Sequence, residues 1–298
     1  KLNMELMNLA ESTGNISIYF NHRLLNANLE TKELTFKKKK VSFNRVFGCD
    51  GSGSVLRDEI IKKTKAKFIQ KPLGHGYKEL SIPASKTNEF QINNNALHIW
   101  PRGRFMLIAL PNEDGSFTCT LFMPYDNHEY AFNDLDSDRK IDCFFKEVFP
   151  DFYELMPDLI ENWHQHPLSS LSIVRCKPWT AGKFALMGDS AHATVPFYGQ
   201  GMNAGFEDCS VMWDIYNTHK DWDKTFQIYS KQRKPDGDAL QDLSLDNYYV
   251  MSADVADEKF LLQKKIEAKI HEKYPDKWMP LYSQVTFSHI PYSKAYEQ

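Results

Sequence analysis

Two glycine-rich loops hold the residues best suited to chemistry. The first, Gly48-Cys-Asp-Gly-Ser-Gly-Ser54, lies between a strand-like run and the helical Val55-Leu-Arg-Asp-Glu-Ile-Ile61. Gly51-x-Gly53 in that position begins a dinucleotide fingerprint, and a helix N-terminus behind it would face a phosphate. The third glycine is missing, and Leu56 stands where a small residue should let helix and strand pack closely, which argues against a primary ADP-binding loop. Spacing alone leaves a ligand loop and a plain strand-to-helix turn both open.

The second loop is richer. Gly188-Asp-Ser-Ala-His192 follows a strand and continues through Pro196 into Gly199-Gln-Gly-Met-Asn-Ala-Gly205, where a helix begins. Glycines let backbone N–H groups approach a ligand. The first turn of a helix adds unpaired donors and a positive dipole end, suited to an anion or to a carbonyl that gains negative charge during reaction. Asp189, at the C-terminal edge of its strand, is placed to accept hydrogen bonds from a polyol. The plainer alternative is a glycine-rich turn that Asp189 caps.

Other chemistries find less support. Ser190 and His192 invite a nucleophile-and-base reading, but sequence neighbours make poor triad partners, and the only Asp-x-x-His is residues 189–192 itself. His164-Gln-His166 has no third ligand at a convincing spacing, so it reads as a surface pair and no metal is assigned. Tyr248, Tyr249, Trp278 and Tyr282 could line a pocket, although helical aromatics more often fill a core.

The elements that must position these loops follow from hydrophobic spacing. Residues 2–9 read as a helix ending near Thr13-Gly-Asn15, and 16–20 as a strand. Thr35-Phe36 and 41–47 read as strands around Lys37 to Lys40, the only basic run, which suits the cap of a solvated hairpin better than a nucleic-acid site. Runs at 79–82, 96–100, 105–110 and 117–123, joined by short turns, predict a separate antiparallel sheet. A helical pattern at 139–163 precedes strands at 171–176 and 183–187. Helices follow at 203–219 and 222–233, with further helical segments across 239–273. The β-rich block is therefore inserted into an α/β frame.

Composition sets the bounds. With 298 residues, 42% of them hydrophobic, the chain can bury one elaborate domain or two modest ones. A net charge of -3 gives no reason to expect a nucleic-acid partner. The five cysteines are scattered and never at CxxC spacing, which points to reduced thiols. No apolar run reaches membrane-spanning length and residues 1–7 do not resemble a signal peptide, so the chain as given is expected to be soluble.

Taken together, Asp50-Gly-Ser-Gly-Ser-Val-Leu-Arg57 and Gly188-Asp-Ser-Ala-His192 resemble, in order and wide separation, the two internal signatures of class A flavoprotein monooxygenases of the p-hydroxybenzoate hydroxylase type. The resemblance narrows to the kynurenine 3-monooxygenase family and spans nearly the whole chain. It is carried by His75-Gly-Tyr-Lys-Glu-Leu80, Leu97-His-Ile-Trp-Pro-Arg102, Ile108-Ala-Leu-Pro-Asn112 and Ser116-Phe-Thr-Cys-Thr-Leu-Phe122. Val195-Pro-Phe-Tyr-Gly-Gln-Gly-Met-Asn203 and Pro280-Leu-Tyr-Ser-Gln-Val-Thr-Phe287 complete it.

The resemblance implies an α/β fold, α+β overall. Its FAD-binding Rossmann-like frame would comprise residues 1–70 and 176–235, with an antiparallel β-sheet substrate domain inserted at 71–175 and a helical substrate-pocket region at 236–298. It implies FAD and NADPH as cofactors, and hydroxylation of L-kynurenine to 3-hydroxykynurenine with O2 by a flavin C4a-hydroperoxide. By the same likeness Asp50, Gly51 and Arg57 belong to the flavin and nicotinamide signature, and Asp189 binds the ribityl chain. The backbone at Gly199, Gly201, Met202 and Asn203 would face the flavin's pyrimidine edge. Asn247 and Tyr282 match substrate-contacting positions, and Leu97, Met106, Ile108, Leu110, Phe122, Pro196, Phe197 and Met251 match the pocket lining. No catalytic side chain is assigned, because the flavin carries the reaction.

The match has gaps. The strand, Gly-x-Gly-x-x-Gly turn and helix that hold the ADP half of FAD in this family are expected upstream of Lys1, as are an arginine and a tyrosine that clamp the substrate's amino-acid end. The residues given are expected to bind FAD poorly on their own. Within the chain, Val250 of Asn247-Tyr-Tyr-Val-Met251 replaces the family's glutamate, which points to weakened binding or another substrate. Eukaryotic members carry a C-terminal membrane segment absent here, so an outer mitochondrial membrane location attaches only to a longer parent, and a homodimer stays open. A hydroxylase of another aromatic acid and a flavin-free remnant are the alternatives.

Overall fold

The computed structural model describes residues 2–65 and 67–297. It opens on α1 (Leu2–Ser12), helical as its spacing predicts but burying none of its residues. The strand expected at 16–20 does not form. Ile16, Tyr19 and Phe20 lie exposed, and no described strand pairs with them, so their backbone has no ladder to join.

β1 (Leu24–Asn28), β2 (Glu33–Phe36) and β3 (Lys40–Ser42) make an antiparallel meander, with the lysine run at its second turn. The single strand expected over 41–47 is two strands in two sheets. After β3 the chain changes partner: Val46 N donates to Lys183 O at 2.9 Å and Phe43 packs on Phe184, delivering β4 (Val46–Gly48) to the strand that precedes the second loop. α2 (Val55–Thr64) follows, its N-cap Ser54 accepting from Arg57 N.

The β-rich block is a five-stranded antiparallel sheet. It contains β5 (Lys67–Ile82), β6 (His98–Pro101), β7 (Met106–Pro111), β8 (Phe117–Pro124) and, after three helices, β9 (Leu168–Lys177), in the order β6-β7-β8-β5-β9. The helical pattern at 139–163 resolves into α3 (Asp138–Val148), α4 (Pro150–Tyr153) and α5 (Leu159–Gln165), with Pro150 opening the second of them. Strand alternation gives the sheet two different faces. Leu107, Ala109, Cys119 and Leu121 pack on the helices through Phe144, Phe145, Phe149, Phe152 and Trp163. Met106 and Phe122, one residue out of phase, face Phe197, Tyr248 and Met251.

β10 (Thr180–Ala181) and β11 (Phe184–Leu186) then build a small sheet with β4, in which β11 and β4 run parallel. The short α6 (Asp189–His192) leads to α7 (Gly201–His219) and α8 (Trp222–Ser252). The helix read as ending at Arg233 continues through Pro235. Burial along its length, from Thr225 to Ser252, offsets the hydrogen bond that proline removes, and Gly237 lets it pass so close to Trp179 that a Cβ would lie 2.9 Å from the indole. α9 (Glu258–Lys273), α10 (Leu281–Phe287) and α11 (Tyr292–Tyr296) complete the described chain. No helix among the described residues is long and apolar enough to cross a membrane.

Candidate functional site

The parallel pairing of β11 with β4 brings the two glycine loops side by side. The Gly48 carbonyl accepts from Met187 N at 2.9 Å and from the Ser190 hydroxyl. Leu56 packs on Gly48, where a Cβ would approach its Cδ1 to 2.9 Å. The close packing of helix on strand that the fingerprint assigns to a small helical residue is obtained here from a glycine on the strand. Arg57, buried at the start of α2, stitches the loops together: it donates to Ser190 O at 3.1 Å and to Ser52 O at 2.6 Å.

Asp50 turns its carboxylate onto α2, accepting from Val55 N at 2.8 Å, Leu56 N at 3.3 Å and the Ser54 hydroxyl at 2.5 Å. It fixes the first loop as a cap does. Gly51, at φ +79°, and Gly53 leave open space where a Cβ would be. Ser190 is buried, with its hydroxyl bonded to Gly48 O and Met187 O, and His192 is held by Asp208, so the pair has none of the geometry of a nucleophile with its base.

A cavity of about 510 Å³ lies between the second loop and the front of the five-stranded sheet, within the usual range for a small-molecule site. Asp189, Ala193, Thr194, Pro196 and Gly199 line one side and Ser52 its edge. Tyr77, Ile108, Leu110, Thr120, Phe122, Ser170, Leu171 and Ser172 line the sheet side. The Asp189 carboxylate is exposed and takes no hydrogen bond or ion pair among the described residues. Thr194 Oγ1 is buried and has no hydrogen-bond partner among the described residues. Gly199, at φ +67°, has nothing within 4 Å of where a Cβ would stand.

Six of the residues singled out from the sequence thus meet at one cavity: Asp189, Pro196, Gly199, Ile108, Leu110 and Phe122. Met106, Phe197 and Met251 form the apolar layer behind Phe122, whose ring lies 4.9 Å from that of Phe197. Asn247 is buried and spends its amide on Phe197 O at 2.7 Å, so it holds the turn that carries Pro196 and Phe197. Tyr282 is half exposed and stacks on Tyr198, whose phenol is pushed up to about 12 by burial and then by Tyr282. Gly201, Met202 and Asn203 form the first turn of α7, with Met202 exposed and Asn203 bonded to Gln200 Oε1 at 3.0 Å. Leu97 is 40% exposed, just before β6, and does not line the cavity.

Sequence reasoning missed the hydroxyl-bearing part of the cavity wall. Thr120 shares the face of Phe122, and Ser170 and Ser172 alternate with Leu171 on β9, so extending the period-2 pattern from Ile108 and Leu110 to the neighbouring strands would have found Thr120. It also missed Asp208. This residue lies on the buried stripe of α7 with Ala204, Met212 and Ile215, and a carboxylate on such a stripe is itself a signal. Asp208 Oδ2 accepts from Gly188 N at 2.9 Å and His192 Nε2 at 2.7 Å, while Oδ1 accepts from Arg233 Nε at 3.0 Å. Burial pushes its carboxyl up, but the His192 hydrogen bond and charge, the Arg233 guanidinium and the Gly188 N–H outweigh that and hold it below the ordinary 3.8. Among the described residues, no group of three His, Cys, Asp or Glu is placed to hold a metal ion, and His164 instead pairs with Asp138 at 2.8 Å.

Comparison with known proteins agrees with this architecture. Residues 1–244 match the FAD binding domain family. Kynurenine 3-monooxygenase from Flavobacterium psychrophilum is 46% identical over 99% of this chain and 67% of its own length. The enzyme of the same name from Dictyostelium discoideum is 40% identical over the same shares, and that from Anopheles gambiae 41% over 98% of this chain and 62% of its own length. The chain thus spans about two thirds of the length of these relatives. Among solved structures, 2-methyl-3-hydroxypyridine-5-carboxylic acid oxygenase superposes with a TM-score of 0.70 at 20% identity, covering 85% of this chain and 67% of that one. Klebsiella pneumoniae HpxO, solved with FAD and uric acid, gives 0.68 at 17% identity, covering 90% and 67%. The two structures show the shared fold, and the family match and the sequence relatives go further: the chain belongs to the kynurenine 3-monooxygenase family of FAD-binding proteins.

Proposed function

We propose that this chain serves FAD- and NADPH-dependent hydroxylation of L-kynurenine by O2 to 3-hydroxykynurenine, with the cavity between the second loop and the sheet as the meeting place of flavin and substrate. The observation that carries the reading is the convergence, on one cavity, of a loop suited to a polyol and an electron-rich ring with an apolar sheet face suited to an aromatic ring. The lining fits a flavin: Asp189 has an unspent carboxylate, Thr194 an unspent hydroxyl, and Gly199 leaves space that any side chain would fill. In this reading Asp189 accepts hydrogen bonds from the ribityl hydroxyls. The first-turn N–H groups at residues 201–203 stabilise negative charge on the pyrimidine edge of the reduced ring. Arg57 holds the first loop against the second, while Asp50 fixes that loop on α2 and Gly51 leaves it open to the cofactor.

Bound FAD, reduced by NADPH, supplies the activation of O2. The protein's part is to orient and to exclude water. Ile108, Leu110, Phe122 and Pro196 form the surface on which the aromatic ring lies. Met106, Phe197 and Met251 back that surface without polar groups, which keeps water from the reacting carbon. Asn247 fixes the Phe197 turn by donating to its carbonyl, and Tyr282 stacks on Tyr198 at the end of that turn.

The test is kynurenine-stimulated NADPH oxidation by the FAD-loaded full-length protein, with the product identified by mass. A gain of one oxygen on kynurenine is expected. No stimulation, or stimulation by other aromatic acids alone in a substrate panel, would overturn the assignment of substrate.

A further inference from the structure

We infer that Asp208 and Arg233 form a buried positioning lock that fixes the distance between Asp189, at the start of the second loop, and residues 199–203 at its end. This rests on the flavin reading above. Gly188 has φ 57° and ψ -141°, a backbone conformation open mainly to glycine, and it directs the chain into Asp189. Its N–H is anchored on Asp208 Oδ2, which also takes the His192 ring at the far end of α6. One carboxylate oxygen therefore holds both ends of the short helix that begins with Asp189.

The other oxygen faces Arg233. The Arg233 fork ties α7 to α8: Nε meets Asp208, a terminal nitrogen reaches Ala204 O at 3.4 Å in the first turns of α7, and the other pairs with Asp236 of its own helix at 3.2 Å and with Glu207 at 2.9 Å. Asp236 in turn accepts from Ser293 N at 3.1 Å and Ser293 Oγ at 2.6 Å at the start of α11. A parallel chain runs from Tyr292 OH to Gln200 Oε1 at 3.2 Å, and Asn203 Nδ2 donates to the same oxygen at 3.0 Å. Gly188 and Gly205 nearly touch, a Cβ on Gly205 falling 3.6 Å from the Gly188 Cα, so the lock works on two backbone segments with no side chain between them. Neither Asp208 nor Arg233 lines the cavity. They act through Gly188, Ala204 and Asp236, which makes them positioning residues and not cofactor ligands.

The experiment is an FAD titration of the full-length protein, followed by flavin absorbance, alongside the kynurenine KM. Asp208→Asn keeps the shape and removes the charge, so it is expected to weaken FAD by about tenfold or more and shift the bound-flavin spectrum, while KM stays within about twofold. Arg233→Lys keeps the charge but loses the fork, and is expected to fall between Asp208→Asn and the parent. Glu207→Gln loses only the partly exposed partner of Arg233 and should weaken FAD less than Arg233→Lys does. If Asp208→Asn does not fold, Arg233→Lys carries the test. Folded Asp208→Asn or Arg233→Lys with the parent's FAD affinity and spectrum would overturn the lock. Should the parent protein itself fail to take up FAD, the flavin reading falls instead.

Discussion

The layer behind the five-stranded sheet and the cluster beneath the second loop solve the same problem, holding a backbone in place, by opposite means. Behind the sheet, Phe145 alone contacts the rings of Phe144, Phe149, Phe152 and Trp163 at centroid distances of 5.2 to 6.1 Å, and the cations that join them, Arg102 over Phe149 and Lys78 over Trp163, meet ring faces and not carboxylates. Beneath the loop, Asp208, Arg233 and His192 are all buried, and each is satisfied by a charged or hydrogen-bonding partner. Apolar packing sets volume but little direction, whereas a buried charge pair sets direction and tolerates the loss of neither member. The sheet needs only to be a wall. The loop must aim one carboxylate into an open cavity, and apolar packing around it would fill the space a ligand needs.

The contrast can be broken at either end. Phe145→Ala should cost about 3–5 kcal/mol in denaturant unfolding, since a fully buried ring leaves a cavity, yet FAD titration of the folded fraction should not change. Asp208→Ala should cost about 3 kcal/mol by taking away the buried acceptor of Arg233 Nε, His192 Nε2 and Gly188 N, and here FAD binding should fall as well. The Asp208 carboxyl is held below its ordinary 3.8, so its contribution to stability is complete above that pH and is lost as pH falls through the lower folded value. Acid unfolding curves of the parent and of Asp208→Asn should accordingly converge below about pH 4, the variant having the flatter acid limb.

Smaller changes sharpen the comparison within the cavity wall. Ile108→Ala removes apolar surface from the cavity and should raise the kynurenine KM by about tenfold with little loss of kcat. Leu97→Ala should shift stability by less than about 0.5 kcal/mol and leave KM unchanged, because the side chain is exposed and outside the cavity.

Leu97 also shows how far sequence could reach. Its place in the resemblance was plain, but a one-dimensional match cannot tell a wall residue from one at the open edge of β6. The resemblance also supplied Ile108, Leu110 and Phe122, and strand alternation explains why these do meet, because period 2 puts them on one face. The strand switch after Ser42 was not legible: β3 and β4 read as one β-rich run, and only pairing with β11 separates them. Nor was the passage of α8 through Pro235, since local propensity stops a helix there and only burial against Trp179 and the sheet sustains it. The lock was hidden for the same reason. Its members lie 16 to 25 residues apart along the chain and meet only when α7 and α8 pack beneath the loop.

The most direct test of the central claim is FAD titration of Asp189→Ala in the full-length protein. If the cavity beside Asp189 holds the flavin, affinity should fall sharply while the protein keeps the parent's stability, because the lost carboxylate has no partner among the described residues. FAD affinity equal to the parent's would contradict that placement.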